Sequence, residues 1–253
     1  GIPGIKLPHI LGSDGSGIVV DCGKKVKDFK PGDEVIIQPM SFCSQCYYCK
    51  RGMENYCSEL HILGENVHGV QCQFVKLKSF QLRAKPLELT FEESASFSLS
   101  AQTAYAMLIR RAKIIQGESM FVWGAGSGIG TMAIQIGNYF GCKVYACAGN
   151  DKKVELAKKL GADFAWNYNT IDISEAVKEH TNNKGIDVVF EHVGKSTWNI
   201  SKKILAVGGR LVTCGATTGF DVSIDLRHLF IKQQSILGST MSDINAYDEM
   251  LKL

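Results

Sequence analysis

The sequence predicts an α/β protein: a mostly β first part carrying a four-cysteine metal lobe, then a doubly wound parallel sheet. Three observations point there. Short β-type runs broken by turn chemistry fill the chain to about residue 90. Four cysteines crowd into residues 43–57. From Ser119 onward, strand-like and helix-like segments alternate, opening with a glycine-rich turn.

Size and composition agree with this division. The 253 residues suggest two domains at about one per 150 residues. A formal net charge of +3 supplies no strong field for nucleic acid or an anionic membrane. With 45% hydrophobic and 21% charged residues the chain is too apolar for disorder, yet no apolar run is long enough to span a bilayer. Nine cysteines and no charged-then-apolar leader point to a reducing, cytoplasmic home. The opening at Gly1 and Pro3 and the stop at Leu253 inside an amphipathic pattern suggest a piece of a longer polypeptide.

In the first part, Ile18-Val19-Val20, Val35-Ile36-Ile37 and Phe74-Val75 read as strands of a mainly antiparallel domain, with Pro31-Gly32-Asp33 as turn chemistry. The pattern changes near Thr90, where Phe91 to Leu108 reads as a helix. Ser119 to Trp123 is then a buried strand, Val144 to Ala148 a second, Lys152 to Leu160 a helix ended by Gly161, and Phe164 to Trp166 a strand. Ile173, Ala176, Val177 and His180 lie at helical spacing behind Asp172 as N-cap. Ile186 to Glu191, Ser196 to Leu205, Leu211 to Thr213 and Ile236 to Leu237 continue the strand–helix alternation, which implies crossover units on both faces of a parallel sheet.

The segment Gly124-Ala125-Gly126-Ser127-Gly128-Ile129-Gly130 follows the Ser119 strand and opens a helix with Ile129, Met132, Ala133, Ile136 and Phe140 on one face. Glycines permit a tight turn and close backbone approach, and the free N–H groups and positive end of that helix suit a dinucleotide pyrophosphate. Ile129 stands where the usual fingerprint has its last glycine, so the turn is one residue longer. The next strand ends at Ala148-Gly149-Asn150 without a carboxylate at its tip; Asp151 reads either as a ribose ligand or as the N-cap of the Lys152 helix. A 2′-phosphate meets no repulsion there and Lys153 offers it a cation, which favours NADP(H) over NAD(H).

Cys43, Cys46, Cys49 and Cys57 form C-x2-C-x2-C-x7-C. Four thiolates at this spacing suit a closed tetrahedral zinc with no open position, hence one structural zinc. An iron–sulfur cluster is the rival, but the long last gap and Ser58 after Cys57 depart from the ferredoxin run.

Several motifs together resemble the medium-chain dehydrogenase/reductase superfamily, which includes zinc alcohol dehydrogenases and quinone oxidoreductases. They are Leu7-Pro8-His9-Ile10-Leu11-Gly12-Ser13-Asp14, Lys30-Pro31-Gly32-Asp33-Glu34-Val35, the cysteine lobe, Gln102-Thr103-Ala104-Tyr105, the glycine turn, and Gly208-Gly209-Arg210 before Cys214-Gly215. The resemblance covers essentially the whole chain. It implies a partial GroES-like barrel domain over 1–96 and a partial Rossmann NAD(P)-binding domain over 97–253. It also implies that the start of the catalytic domain and a returning C-terminal segment are missing.

The resemblance further implies which residues meet the cofactor. Gly149, Asn150, Lys153 and Tyr168 match the NADPH-binding branch, with Lys153 and Tyr168 on the 2′-phosphate. Thr103, the Cys214-Gly215-Ala216-Thr217 loop and the Gly238-Ser239-Thr240 turn fall where the superfamily lines its nicotinamide pocket. The alcohol dehydrogenases keep catalytic zinc ligands where this chain has Ser13 and Leu99, so no catalytic zinc is expected. Hydride transfer from NADPH to an enone or quinone follows, with Ser13, Asp14 and Thr103 near the site and no assigned general acid. A zinc-dependent alcohol dehydrogenase with unorthodox ligands and a dinucleotide-binding protein without turnover are the alternatives. The expected partner is a small carbonyl, enone or quinone, with no nucleic acid or membrane, and the chain is expected to form a homo-oligomer, a dimer or tetramer.

Overall fold

Turn chemistry shapes the first part of the chain. The structure, a computed structural model, describes Ile5 and residues 7–253; Gly1 and Pro3 lie outside the described residues. The strands are β1 (Ser16–Ile18), β2 (Glu34–Ile37), β3 (Met40–Ser41), β4 (His61–Ile62) and β5 (Leu82–Ala84). They form an antiparallel sheet ordered β1-β2-β5 and a separate antiparallel β3–β4 pair. Val19 lies just past β1, yet its N–H still bonds Asp33 O at 2.9 Å while Gly32 N–H bonds its carbonyl at 2.8 Å. Phe74 and Val75, expected as a strand, join no ladder among the described residues and remain exposed. β-type residues make a strand only where an edge is there to pair with.

A capping box opens helix α1 (Phe91–Tyr105): Thr90 Oγ1 accepts from Glu93 N–H at 3.1 Å, and Glu93 Oε2 accepts from Thr90 N–H at 2.9 Å. The expected end at Leu108 is displaced. The α-helix passes into a π-helical stretch, Ala106–Ala112, that stops at Lys113 in the left-handed region, φ +53°.

Beyond it the strands are β6 (Ser119–Val122), β7 (Lys143–Ala148), β8 (Phe164–Asn167), β9 (Ile186–Glu191), β10 (Leu205–Thr213) and β11 (Ser235–Gly238). The connecting helices are α2 (Gly128–Tyr139), α3 (Asp151–Lys159), α4 (Ile173–His180), α5 (Lys195–Ile204) and α6 (Leu226–Ile231). The sheet runs β11-β10-β9-β6-β7-β8 and every pair is parallel. This is the dinucleotide-fold order 3-2-1-4-5-6, with its reversal between β6 and β9. Alternation along the strands fills both layers. Phe121, Trp123, Tyr145, Cys147 and Val189 join Ile173 and Val177 of α4 and Trp198 and Ile204 of α5 in one buried cluster. On the other face Met120 and Val144 reach α2 at Gly137, where an added Cβ would lie 2.2 Å from Met120 Cε.

Two compact units share the chain: residues through Gln102 together with Ser242–Leu253, and Thr103–Met241. The expected division after residue 96 differs from this, because it assigns Ser242–Leu253 to the second domain. In the structure the C-terminal helix Ile244–Met250 packs in the first unit, with Tyr247 fully buried and its hydroxyl 2.7 Å from Ser98 Oγ. Asp248 Oδ2 accepts from Arg83 Nη2 at 3.1 Å, and Glu54 Oε2 accepts from Ile244 N–H at 3.2 Å. Periodicity identifies the helix but carries no information about which core receives it. Among the described residues no helix is long and apolar enough to cross a membrane.

Candidate functional site

In the second unit the expected nucleotide residues gather at the C-terminal edge of the sheet. Gly124 takes φ +58°, and a Cβ there would lie 3.0 Å from the His192 ring. Ser127 is the N-cap of α2, its Oγ accepting from Gly130 N–H at 3.0 Å. The N–H groups of Gly128 and Ile129 find no partner among the described residues, as the first turn of a helix leaves them. The departure at Ile129 has a structural answer. An added Cβ at Gly130 would stand 2.4 Å from Gly124 O, so the close helix–strand approach falls one residue later.

The β7 end supplies the flank. An added Cβ at Gly126 would lie 2.7 Å from Lys153 Cδ, so the lysine stem covers the turn. One at Gly149 would lie 2.6 Å from the Tyr168 hydroxyl. Asn150 caps α3 by accepting from Lys153 N–H at 3.0 Å. Asp151, left open as cap or ribose ligand, is not the cap in this structure; its Oδ1 accepts from Asn167 Nδ2 at 2.8 Å and ties β8 to α3. Lys153 and Tyr168 thus pack directly on glycines that leave no room for a side chain, beside the free amides at the head of α2, and these residues fit a dinucleotide carrying a 2′-phosphate.

Two further loops follow, one fastened at the end of β9 and one at the end of β10. Thr218 N–H bonds Val193 O at 2.8 Å and Thr217 Oγ1 donates to His192 O at 3.3 Å, which holds Gly215 and Ala216 beside His192. Burial pushes the Cys214 thiol up to about 11, so it stays protonated at neutral pH. Ser239 N–H bonds Thr213 O at 2.9 Å, placing Ser239 and Thr240 after β11. Thr103 opens the same unit.

Ser13 and Asp14 belong to the first unit and both are engaged there. Ser13 Oγ donates to Leu63 O at 2.6 Å, and Asp14 Oδ1 accepts from Leu99 N–H at 2.6 Å. Burial raises the Asp14 carboxyl above its ordinary value, against the lowering by that N–H.

The cysteine lobe is built from tight turns. Cys43, Cys46, Cys49 and Cys57 bring their Sγ atoms within 4.8 Å of one another, the one such group of potential metal ligands among the described residues. Cys43 Sγ stands 3.9 Å from Cys49 Sγ and 3.6 Å from Cys57 Sγ. With Zn–S near 2.3 Å, the edge of a tetrahedron is about 3.8 Å, so the four sulfurs fit the ion. Backbone N–H groups of Gln45 and Cys46 pull the Cys43 thiol down to about 6, while burial pushes Cys49 up to about 12. A divalent cation is what would let all four ionise together.

Sequence reasoning missed Trp123, Glu191, His192 and Ser201. Trp123 Nε1 donates to Ser201 Oγ at 2.8 Å, and Trp123 O accepts from His192 Nε2 at 2.9 Å. A signal was present for Glu191: an acid closing the apolar run Val188-Val189-Phe190 is out of place unless hydrogen-bond donors receive it.

The comparisons with known proteins match this geometry. The family model for the alcohol dehydrogenase GroES-like domain matches residues 1–86, and that for zinc-binding dehydrogenase matches residues 128–253. A solved NAD-dependent alcohol dehydrogenase superposes with a TM-score of 0.95 at 40% identity, over 99% of this chain and 73% of that one. The chain belongs to the medium-chain dehydrogenase/reductase superfamily. Within this superfamily it is 34% identical to the crotonyl-CoA carboxylase/reductase of Cereibacter sphaeroides, covering 95% of this chain and 62% of that protein. A 2-octenoyl-CoA carboxylase reductase solved with NADP and 2-octenoyl-CoA superposes at a TM-score of 0.86 and 32% identity, over 97% of this chain and 59% of that one. The chain therefore spans about three-fifths of the length of such medium-chain reductases.

Proposed function

We propose that the chain carries the nucleotide-binding part of an NADPH-dependent reductase that delivers hydride to a conjugated acceptor, an enone, a quinone or an α,β-unsaturated thioester. The observation that carries this reading is the pairing of Lys153 over Gly126 with Tyr168 over Gly149 at a strand tip that has no carboxylate. The nicotinamide, when bound, supplies the hydride. The protein's own part is to hold the pyrophosphate on the Gly128 and Ile129 amides, place the 2′-phosphate against Lys153 and Tyr168, and orient the ring by the loops at Gly215, Ala216, Ser239 and Thr240. A conjugated acceptor is already electrophilic at carbon, so developing enolate charge needs hydrogen-bond donors rather than a Lewis acid. The 2-octenoyl-CoA carboxylase reductase solved with NADP and its unsaturated thioester supports both the nucleotide and the acceptor class.

The four-cysteine lobe holds one structural zinc in this reading, and Ser13 and Leu99 leave a catalytic zinc without two of its ligands. A cytoplasmic homo-oligomer completes it, the compartment supported by nine cysteines of which none is bridged in a disulfide. The test is NADPH oxidation by the intact protein with a panel of enones, quinones and enoyl-CoA thioesters: steady turnover is expected, and silence across the panel refutes the reading. A second reading, a zinc-dependent alcohol dehydrogenase, is favoured by the 40% identity to the solved alcohol dehydrogenase. Metal analysis separates the two, with one zinc per chain expected here and two required there.

A further inference from the structure

Glu191 takes no part in the contacts assigned to the nucleotide, yet it is a carboxylate at 0% exposure on the last residue of β9. No cation pairs with it among the described residues. Hydrogen bonds alone hold it: it accepts from Val193 N–H at 2.7 Å, Gly194 N–H at 3.1 Å, Thr197 Oγ1 at 2.9 Å and Ser201 Oγ at 2.6 Å. The first three bonds hold the chain where it enters α5: two come from main-chain N–H groups just before the helix and one from a hydroxyl in its first turn.

The fourth is different. Ser201 lies well into α5, beyond its first turn. Its hydroxyl accepts the indole N–H of Trp123, and Trp123 is the residue immediately before Gly124. The direction of this relay is forced. An indole nitrogen only donates and a carboxylate only accepts, so the Ser201 proton points to Glu191 and its lone pair to Trp123. Trp123 is held at its other polar atoms as well: its N–H bonds Phe190 O at 3.3 Å and its carbonyl accepts from His192 Nε2 at 2.9 Å. The entry to the glycine turn is therefore fastened entirely to β9 and the helix after it, across the point where the strand order reverses.

We infer that Glu191 is a positioning residue for the glycine turn, acting through Ser201 and the Trp123 indole, so that nucleotide affinity depends on a buried carboxylate on the neighbouring strand. The inference rests on the nucleotide reading given above and deepens it. Ser201→Ala removes the link at the hydroxyl and Trp123→Phe removes it at the indole while keeping an aromatic ring in place.

Two measurements test it on the intact protein. The first is amide hydrogen exchange without nucleotide at Ala125, Ser127 and Gly130, whose N–H groups bond Cys147 O, Gly124 O and Ser127 Oγ. Each variant is expected to speed exchange there by about tenfold, as the loss of one buried hydrogen bond allows, with the β7 amides unchanged. The second is NADPH titration, where each single variant weakens binding by about tenfold, the double variant is no weaker than the singles, and Ser201→Thr restores affinity. Unchanged exchange at the turn, an equal rise at β7, or additive losses in the double variant overturn the inference. A wild-type protein that binds neither NADPH nor NADH strikes down the nucleotide reading instead, and the exchange result still decides whether the link from Glu191 through Ser201 to Trp123 fastens the turn.

Discussion

Replacing Lys153 by alanine separates recognition of the 2′-phosphate from the rest of the nucleotide. An exposed ion pair is ordinarily worth about 0.2–1 kcal/mol, because ordering a long side chain offsets much of the attraction. Here the stem is already placed. A Cβ on Gly126 would lie 2.7, 2.8 and 3.1 Å from Lys153 Cδ, Cγ and Cβ, and Lys153 N–H is tied to Asn150 Oδ1 at 3.0 Å. With that ordering largely complete and a multiply charged phosphate as partner, the contribution rises to about 1–2 kcal/mol, or about 5–30-fold in Kd. NADH lacks the phosphate, so its affinity is expected to change by less than about twofold, which is within the range of a neutral surface substitution. Titration of both nucleotides against wild type and variant, followed by protein fluorescence or calorimetry, gives the ratio directly. Raising ionic strength towards 1 M, where the screening length is about 3 Å, is expected to shrink the NADPH loss but not the NADH result. An equal loss for both nucleotides, or none for either, refutes the assignment of Lys153 and with it the stated preference for NADPH.

Gly130→Ala is expected to lower stability by about 1–3 kcal/mol, read as a fall in Tm, since its Cβ would meet the Gly124 carbonyl at 2.4 Å and backbone cannot swing aside; an unchanged Tm would contradict that packing. Cys57→Ser is expected to take zinc from one per chain to none and to destabilise the first unit while NADPH affinity in the second persists; retained zinc would show that the lobe is not its site. Asp225 caps α6, and its carboxyl is held at about 2 by the guanidinium and main-chain N–H of Arg227. The folded value lies below the ordinary 3.8, so the cap is fully formed above about pH 4 and is lost as pH falls towards about 2. Amide exchange at residues 226–231 is expected to quicken over that window, and a flat profile would refute the role of the cap.

The second unit was the more legible part of the chain. Ile186 to Glu191 stands in the structure as expected, and Asp172 caps α4 by accepting from Ser174 and Glu175 N–H. Both come from local physics: an apolar run confined to a strand's length, and a short acid at a helix start. The first unit was less legible because its strands are short and draw their partners from distant segments, so Phe74-Val75 reads as a strand and is none, while Leu82–Ala84 pairs with β2 without an evident pattern. The relay from Glu191 to Trp123 joins side chains 68 positions apart, from residue 123 to residue 191, and no periodicity reports such a distance.

By itself the sequence determined the chemistry available to this protein: four thiols at metal-ligand spacing, a glycine turn at the head of a helix, a lysine and a tyrosine near a strand tip without an acid, and the alternation that builds a parallel sheet. Those depend on residue type and local spacing. The tertiary structure alone decided that Asn150 and not Asp151 caps α3, that Gly130 makes the close approach expected one residue earlier, that Ser242–Leu253 joins the first unit, and that a buried carboxylate fastens the turn. These depend on which surfaces meet when the chain closes, and contacts between distant segments leave no periodic mark along the sequence.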